Sequence, residues 1–444
     1  MRRSIQYAVL FAKTFSRKHK KHIILGLLFG FLVSLILINI FPYYANIYGK
    51  KTKKIGIVGQ YSETTLPRSI LDQISLGLTQ LSGSGEAKPS VAVSWEADDT
   101  GTNYTFHLKN NIFWHDGKKF SADDINYKLQ GGKLAKVDEN TLKVALEQAY
   151  SPLPVLLSAP ILRTPLLGLG PYKVIKLTRS AGVITSVTLT PVEGKGETLI
   201  YRFYPSTSTA ILAFKVGEID ILQDLVNLEG FDQWKNVNVS KITMYDRYVG
   251  IFFNLKDPLF KDKETRQALA YAIPKLEDQE RAVSPISPYS WAYSQKLKTY
   301  DFDDSSAKKM LENTPLASPS SQLTLSTYVS HLSTAQKIAD VWTAIGVNTK
   351  VKVENLPPND YQAFLLTQAI PADPDQYQFW QSTQESTNIS NYSNAKIDKL
   401  LEDGRNTLDK IKRKQIYFDF QRYLVDDVPV IFLYYPKVYL VERK

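Results

Sequence analysis

Residues 23–49 contain no charged side chain, while seven Lys or Arg precede them and Lys50, Lys51, Lys53 and Lys54 follow. The apolar heart of this stretch, residues 23–41, reads IILGLLFGFLVSLILINIF. At about 1.5 Å per residue, one helix of that length crosses the hydrocarbon of a bilayer. The sequence therefore predicts a basic cytoplasmic segment (residues 1–22), a transmembrane segment (residues 23–49) and a tethered water-soluble body. The surplus of Lys and Arg before the span places the N-terminus in the cytoplasm and the body on the extracytoplasmic side, periplasmic or cell-surface. The 22-residue basic lead, the length of the apolar run and the lack of an A-x-A-like site near residues 43–49 favour an uncleaved signal-anchor over a cleaved signal peptide.

Charge points the same way. Eleven of the 54 basic residues fall within residues 1–54, where there is no Asp or Glu, and the remainder of the chain balances 43 basic against 44 acidic residues. The formal net charge of +10 thus belongs to the flanks of the span and suits anionic headgroups. A near-neutral body gives no reason to expect nucleic acid as a partner. With no cysteine, the chain has no disulfide, no thiolate metal site, no thiol nucleophile and no acylated anchor. Its stability must come from packing, which a body of this size supports in two or more units.

Within the body, runs rich in β-branched and aromatic residues predict strands over residues 54–58, 104–108, 141–146, 183–191, 199–204 and 250–254. Helical periodicity predicts helices over residues 70–81, 121–129, 208–216, 264–272, 307–312, 334–345, 395–408 and 409–424. Residues 81–89 and 313–322 read as surface loops. The interleaving of the two kinds of segment, without a fixed repeat, predicts an α/β fold.

Catalytic signals are missing. The five histidines are scattered, no H-E-x-x-H or G-x-S-x-G occurs, and neither phosphate-binding glycine motif is present. Adjacent carboxylates such as Asp98–Asp99 and Asp123–Asp124 point in different directions on either regular element, so they suit caps and turns better than a shared acid–base site. The chain is read as a non-enzyme with no cofactor and no metal.

Several phrases in fixed order carry a resemblance. Residues 90–129 contain Ser94-Trp95-Glu96, Tyr104-Thr105-Phe106, Leu108-Lys109, Phe113-Trp114-His115-Asp116-Gly117 and Ser121-Ala122-Asp123-Asp124-Ile125. Further on come Gly170-Pro171-Tyr172, the run from Ala213 to Asp220, and Asn254 with Pro258 and Phe260. Thr265-Arg266-Gln267-Ala268-Leu269-Ala270-Tyr271-Ala272-Ile273 follows, then Asp373-Pro374-Asp375, Tyr392, Asn394, Arg413, Tyr417, Gln421 and Pro429. Together they resemble solute-binding protein family 5, the oligopeptide-, dipeptide- and nickel-type binding components of ABC importers. Ser121, with Asp124 three residues on, reads as a capping box.

That resemblance implies a two-lobe, periplasmic-binding-protein-like fold (type II, cluster C-like) that closes around a ligand. The first lobe is expected over residues 54–245, the second over 246–427, and residues 428–444 return to the first. Hinges are expected near Tyr248-Val249-Gly250 and Val428-Pro429-Val430. The implied function is an extracytoplasmic subunit that captures oligopeptides and delivers them to a permease and ATPase carried on separate chains. Peptide binders of the family hold the ligand backbone and pair its α-ammonium with an acid. Here Asp373 or Asp375 is the candidate acid, in a context lacking the family's tryptophan. Tyr61, Tyr248, Tyr392 and Tyr434 are candidate cleft linings, with Asn254 beside them. The alternatives are the same fold with another solute, such as a nickel chelate or a sugar, and a surface sensor or adhesin using the cleft.

Overall fold

The computed structural model describes residues 18–22, 24–26, 28–35, 51–318 and 320–444. Residues 24–26 and 28–35 are helical, with Leu25, Phe29 and Phe31 at least 65% exposed. Among the described residues no helix is long and apolar enough to cross a membrane. The expected span takes in residues 23, 27 and 36–49, which lie outside the described residues.

The body consists of two lobes, each built around one sheet. The first sheet has seven strands in the order Val237–Thr243, Lys437–Arg443, Ile221–Leu225, Thr52–Val58, Thr198–Tyr204, Val183–Pro191 and Tyr172–Ser180. Its centre is parallel, with Ile55 opposite Tyr201 on one side and Ile221 on the other. A strand buried between two parallel neighbours is expected to be a near-continuous apolar run, as Ile55-Gly56-Ile57 is. Gly56 is required here by packing, because a Cβ at that position would lie 2.2 Å from Ile219 Cδ1. The helix Thr207–Lys215 packs on this sheet, with Ser206 accepting from the Thr209 amide at its N-terminus.

Inserted in the first lobe is a four-stranded antiparallel sheet, ordered Ala92–Ala97, Asn103–Leu108, Thr141–Leu146, Gly132–Asp138. Its alternating side chains Tyr104, Phe106, Leu142 and Val144 form a core with Trp114 and Phe120. A short hairpin, Thr79–Leu81 with Ala87–Pro89, stands beside it.

The second sheet has six strands in the order Glu280–Arg281, Val430–Tyr435, Arg247–Phe253, Ala363–Ala369, Leu323–Tyr328 and Thr349–Glu354. Six of the seven residues of Arg247–Phe253 are buried, as its central place demands. The helices Lys263–Tyr271, Asp304–Leu311, Leu332–Ala344, Ala395–Asn406 and Lys410–Asp427 complete this lobe. Four of them begin at a side-chain cap: Asp262, Asp303, Asn394 and Asp409 each accept from a first-turn amide.

The structure departs from the sequence reading in four places. The helix expected over 70–81 ends at Ile74, and Thr79–Leu81 is a strand. The helix expected over 121–129 is a single turn, Ala122–Asp124. Beyond it Ile125, Tyr127 and Leu129 turn inward while Asn126 and Lys128 stay exposed, the period of an extended chain. Residues 81–89 form the hairpin rather than a free loop. The return to the first lobe, expected at residue 428, comes later, because Val430–Tyr435 is still paired with Arg247–Phe253 in the second sheet.

Candidate ligand cleft between the lobes

Two neighbouring segments join the lobes. Thr243 is the last residue of the first sheet on the outward path and lies opposite Lys437. Arg247 and Tyr435 are the corresponding ends in the second sheet. Between them the Met244 amide donates to the Pro436 carbonyl at 2.8 Å. Along the two crossings these few described residues are the ones outside both sheets, and they are placed to absorb the torsional change of a hinge. Of the hinge sites expected at Tyr248-Val249-Gly250 and Val428-Pro429-Val430, the first and Val430 lie within paired strands of the second sheet, and the Pro429 carbonyl accepts from the Phe253 amide, which opposes that role.

The parallel strands of the first sheet end on the side facing the second lobe, and Tyr61 and Asp224 stand there. The Tyr61 hydroxyl donates to the Val58 carbonyl at 3.1 Å, and its ring meets Phe203 edge-on. Burial raises its pKa, with a further contribution from the Asp224 charge. Asp224 has a left-handed backbone (φ 58°). Loss of hydration raises its carboxyl pKa; Arg247 opposes the shift and Asp246 adds to it.

Further out the lobes touch along a polar seam. The Ser151 amide and hydroxyl of the first lobe donate to the carbonyls of Arg405 (2.8 Å) and Gly404 (3.2 Å). The Trp291 amide donates to the Ser84 carbonyl at 3.3 Å, and Lys410 pairs with Glu86 at the hairpin tip. The Arg405 guanidinium lies 4.0 Å from the Tyr377 ring and 5.3 Å from Tyr150. Burial pushes the Tyr104 and Tyr150 hydroxyls up to about 12, so both remain neutral donors. Beside the seam a cavity of about 840 Å³ opens, lined by Gln130, Glu147 and Tyr150 from one lobe and Tyr377, Glu402 and Arg405 from the other. That volume lies within the range of small-ligand sites.

Asp373 and Asp375 sit at this seam, each already bound to an arginine. Arg413 grips Asp373 with two hydrogen bonds (2.9 and 2.5 Å), and Arg405 Nε donates to Asp375 at 2.9 Å. Burial raises the Asp375 pKa, with Arg405 only partly offsetting it. The other candidates are scattered. Tyr248 is 1% exposed inside the second core, stacked with Phe252 and edge-on to Phe432. Asn254 holds the Tyr361 carbonyl and the Lys256 amide at the opposite end of its strand. The Tyr392 hydroxyl donates to Asp427 at 2.6 Å. Tyr434 is buried with its hydroxyl 3.3 Å from Thr334. Tyr61, Asp373 and Asp375 are the candidates that the fold brings to the space between the lobes.

Sequence reasoning passed over Tyr150, Trp291, Arg405 and Asp224 as site residues, and noted Arg413 only as part of a phrase. No local signal in the sequence marks Arg405 or Arg413: it is the structure that turns them inward on helices whose other cations are exposed.

Two α/β lobes joined by a pair of crossing strands, with a polar crevice between them, define a hinged receptor that encloses a small guest. The chain belongs to the bacterial extracellular solute-binding proteins, family 5, whose middle-region profile matches residues 86–391. It is a solute-binding protein and not an enzyme. The oligopeptide-binding protein AppA of Bacillus subtilis is 26% identical over 455 residues, covering 85% of this chain and 83% of its own. Among solved structures, NikZ from Campylobacter jejuni in complex with Ni(L-His) matches with a TM-score of 0.71 at 26% identity, over 89% of this chain and 94% of that one. The fold is likewise that of Bacillus subtilis AppA in complex with a nonapeptide, at TM-score 0.68 and 23% identity, over 89% and 95%.

Proposed function

We propose that this chain captures oligopeptides between its lobes outside the cytoplasmic membrane and delivers them to the permease and ATPase subunits of an ABC importer. The observation that carries this reading is the seam itself. Beside it opens a cavity lined from both lobes by Gln130, Glu147, Tyr150, Tyr377, Glu402 and Arg405, whose amide, hydroxyl and charged groups suit the backbone and termini of an extended peptide. The relatedness to an oligopeptide-binding protein over most of both chains supports the same reading. The apolar run at residues 23–41, with cations on both sides, supports a membrane tether that keeps the receptor near its permease and raises its effective concentration there.

The Campylobacter relative solved with Ni(L-His) favours a second reading, a metal–amino-acid chelate in the same cleft. Mass spectrometry of small molecules released from the purified full-length chain separates the two. Peptides are expected. Recovery of a nickel chelate without peptides replaces the first reading with the second.

A further inference from the structure

The outer end of the first lobe, away from the cleft, carries a charge pattern that ligand capture does not use. The parallel strands Thr52–Val58, Thr198–Tyr204 and Ile221–Leu225 begin there. Val183–Pro191 ends there, and Lys437–Arg443 ends beside the start of Val237–Thr243. Most acids of this end are engaged. Lys53 lies 3.6 Å from Glu197 and 3.4 Å from Glu442, Arg202 pairs with Glu218, and Asp220 accepts from the Lys54 amide at 3.1 Å. The exposed lysines are not engaged in this way. Lys51, Lys195, Lys215, Lys235 and Lys444 form no ion pair among the described residues, and Lys444 donates only to the Lys235 carbonyl, at 2.8 Å. Glu193 and Asp232 are the exposed acids left beside them. The body as a whole balances its charges, so this surplus is local.

Two apolar side chains stand among the lysines. Val192 is 46% exposed just past the end of Val183–Pro191, and Val216 is 69% exposed just past the helix Thr207–Lys215. That helix follows a strand that runs toward the cleft, so it runs back and delivers Lys215 and Val216 to the outer end. Cations on long flexible stems, with single aliphatic groups between them, are the mixture of surfaces that lie on lipid headgroups.

The length of chain before Thr52 limits what can lie opposite. The apolar run closes at Phe41 and the first strand opens at Thr52. Whatever path they take, the ten residues 42–51 reach at most about 35 Å. With the apolar run in the bilayer, the outer end of the first lobe is held within that distance of the headgroups.

We propose that this end is a docking surface for anionic lipid headgroups, with the five lysines over the phosphates and Val192 and Val216 between them. It rests on the tether reading above and adds an orientation to it. The first lobe lies against the bilayer, the second stands farther out, and the crevice opens sideways, clear of the lipid. Each lysine near an anionic surface strengthens the contact about fivefold. The attraction fades within a Debye length, about 8 Å at physiological salt, so lysines on five separate segments act together only when this whole end faces the membrane.

The test uses the full-length protein in nanodiscs whose headgroups carry an acceptor dye. The chain has no cysteine, so Val216→Cys places a single donor dye at the proposed surface. Asn348→Cys places one at the opposite end of the molecule, where it is exposed beside the start of Thr349–Glu354. In nanodiscs containing phosphatidylglycerol, energy transfer from the Val216 position is expected to far exceed that from Asn348. In purely zwitterionic nanodiscs the difference should shrink. Lys195→Gln/Lys215→Gln/Lys235→Gln should lower the ratio of docked to undocked molecules about a hundredfold, the product of three such lysines. Lys195→Arg/Lys215→Arg/Lys235→Arg keeps the charge and should keep the transfer. Molar salt, where the Debye length is about 3 Å, should act on the wild type as the glutamines do.

Transfer from Val216 that ignores lipid charge, salt and the glutamine variant overturns the surface, as does equal transfer from the two labels. Alkaline carbonate keeps the two readings apart. Release of the chain from membranes would end the tether reading and this surface with it. A chain that is retained, but whose Val216 label is indifferent to phosphatidylglycerol, leaves the tether standing and overturns the surface alone.

Discussion

Asp373 and Arg413 meet in a two-bond fork and are each about 5–6% exposed. An ion pair so buried is weak evidence for net stability, but removing one partner leaves a bare charge in a dry place. Arg413→Leu is expected to lower unfolding free energy by about 3–5 kcal/mol, with most of it recovered in Arg413→Leu/Asp373→Leu. Chemical denaturation of the ligand-free protein measures both. A single variant as stable as the wild type would mean that Asp373 does not need Arg413 and is free to meet a ligand. Both residues were visible in the sequence, and Asp373 was the natural candidate for an ammonium anchor. What the sequence hid was the pairing: the two lie 40 positions apart, and no local pattern shows that a helix turns one toward the other.

At the scale of elements, the legible parts were those with one dominant period. The strand at Thr141–Leu146 and the hairpin strand Val183–Pro191 coincide with their expected ranges, because alternation or β-branching leaves no other choice. Residues 121–129 misled because Ile125 and Leu129 are spaced for a helix while Ile125, Tyr127 and Leu129 are spaced for an extended chain; tertiary bonds decided. The Tyr127 hydroxyl donates to the Leu157 and Ala159 carbonyls at 3.1 and 2.6 Å, which the extended path alone permits. The capping box at Ser121 was readable, and Asp124 does more than cap. It accepts from the Ser121 amide (2.9 Å), from Trp114 Nε1 (3.3 Å) and from Arg163. Asp124→Ala is expected to cost about 2–4 kcal/mol, the sum of a lost cap and an unsatisfied indole donor. Asp124→Asn should cost less. Thermal unfolding followed by tryptophan fluorescence reports on Trp114, and a loss below about 0.5 kcal/mol would show that the hub is dispensable.

For the whole molecule, the two-lobe plan was legible from ordered phrases, but the surface along which the lobes meet was not, since it joins segments hundreds of residues apart. The hairpin tip shows how that surface can be probed. Gly85 has φ +80°, and a Cβ there would lie 2.1 Å from the Ala372 carbonyl oxygen in the other lobe. Beside it the Ser84 carbonyl accepts from Trp291, and Glu86 pairs with Lys410. An alanine at this point cannot be relieved by repacking a side chain, because the obstacle is backbone. The strain relaxes instead by parting the lobes at their hinge. Gly85→Ala should therefore shift the population toward open forms and weaken ligand binding in proportion to the closed fraction lost, about tenfold for a penalty of 1.4 kcal/mol. Gly83→Ala is the matched control, with nothing within 4 Å of its added Cβ and no positive φ. Small-angle scattering should give a larger radius of gyration for Gly85→Ala at subsaturating ligand, while Gly83→Ala follows the wild type in both scattering and affinity. Indistinguishable curves for the two variants would mean that the hairpin tip does not bear on closure, and that the seam from Ser84 to Arg405 opens without consequence for the ligand.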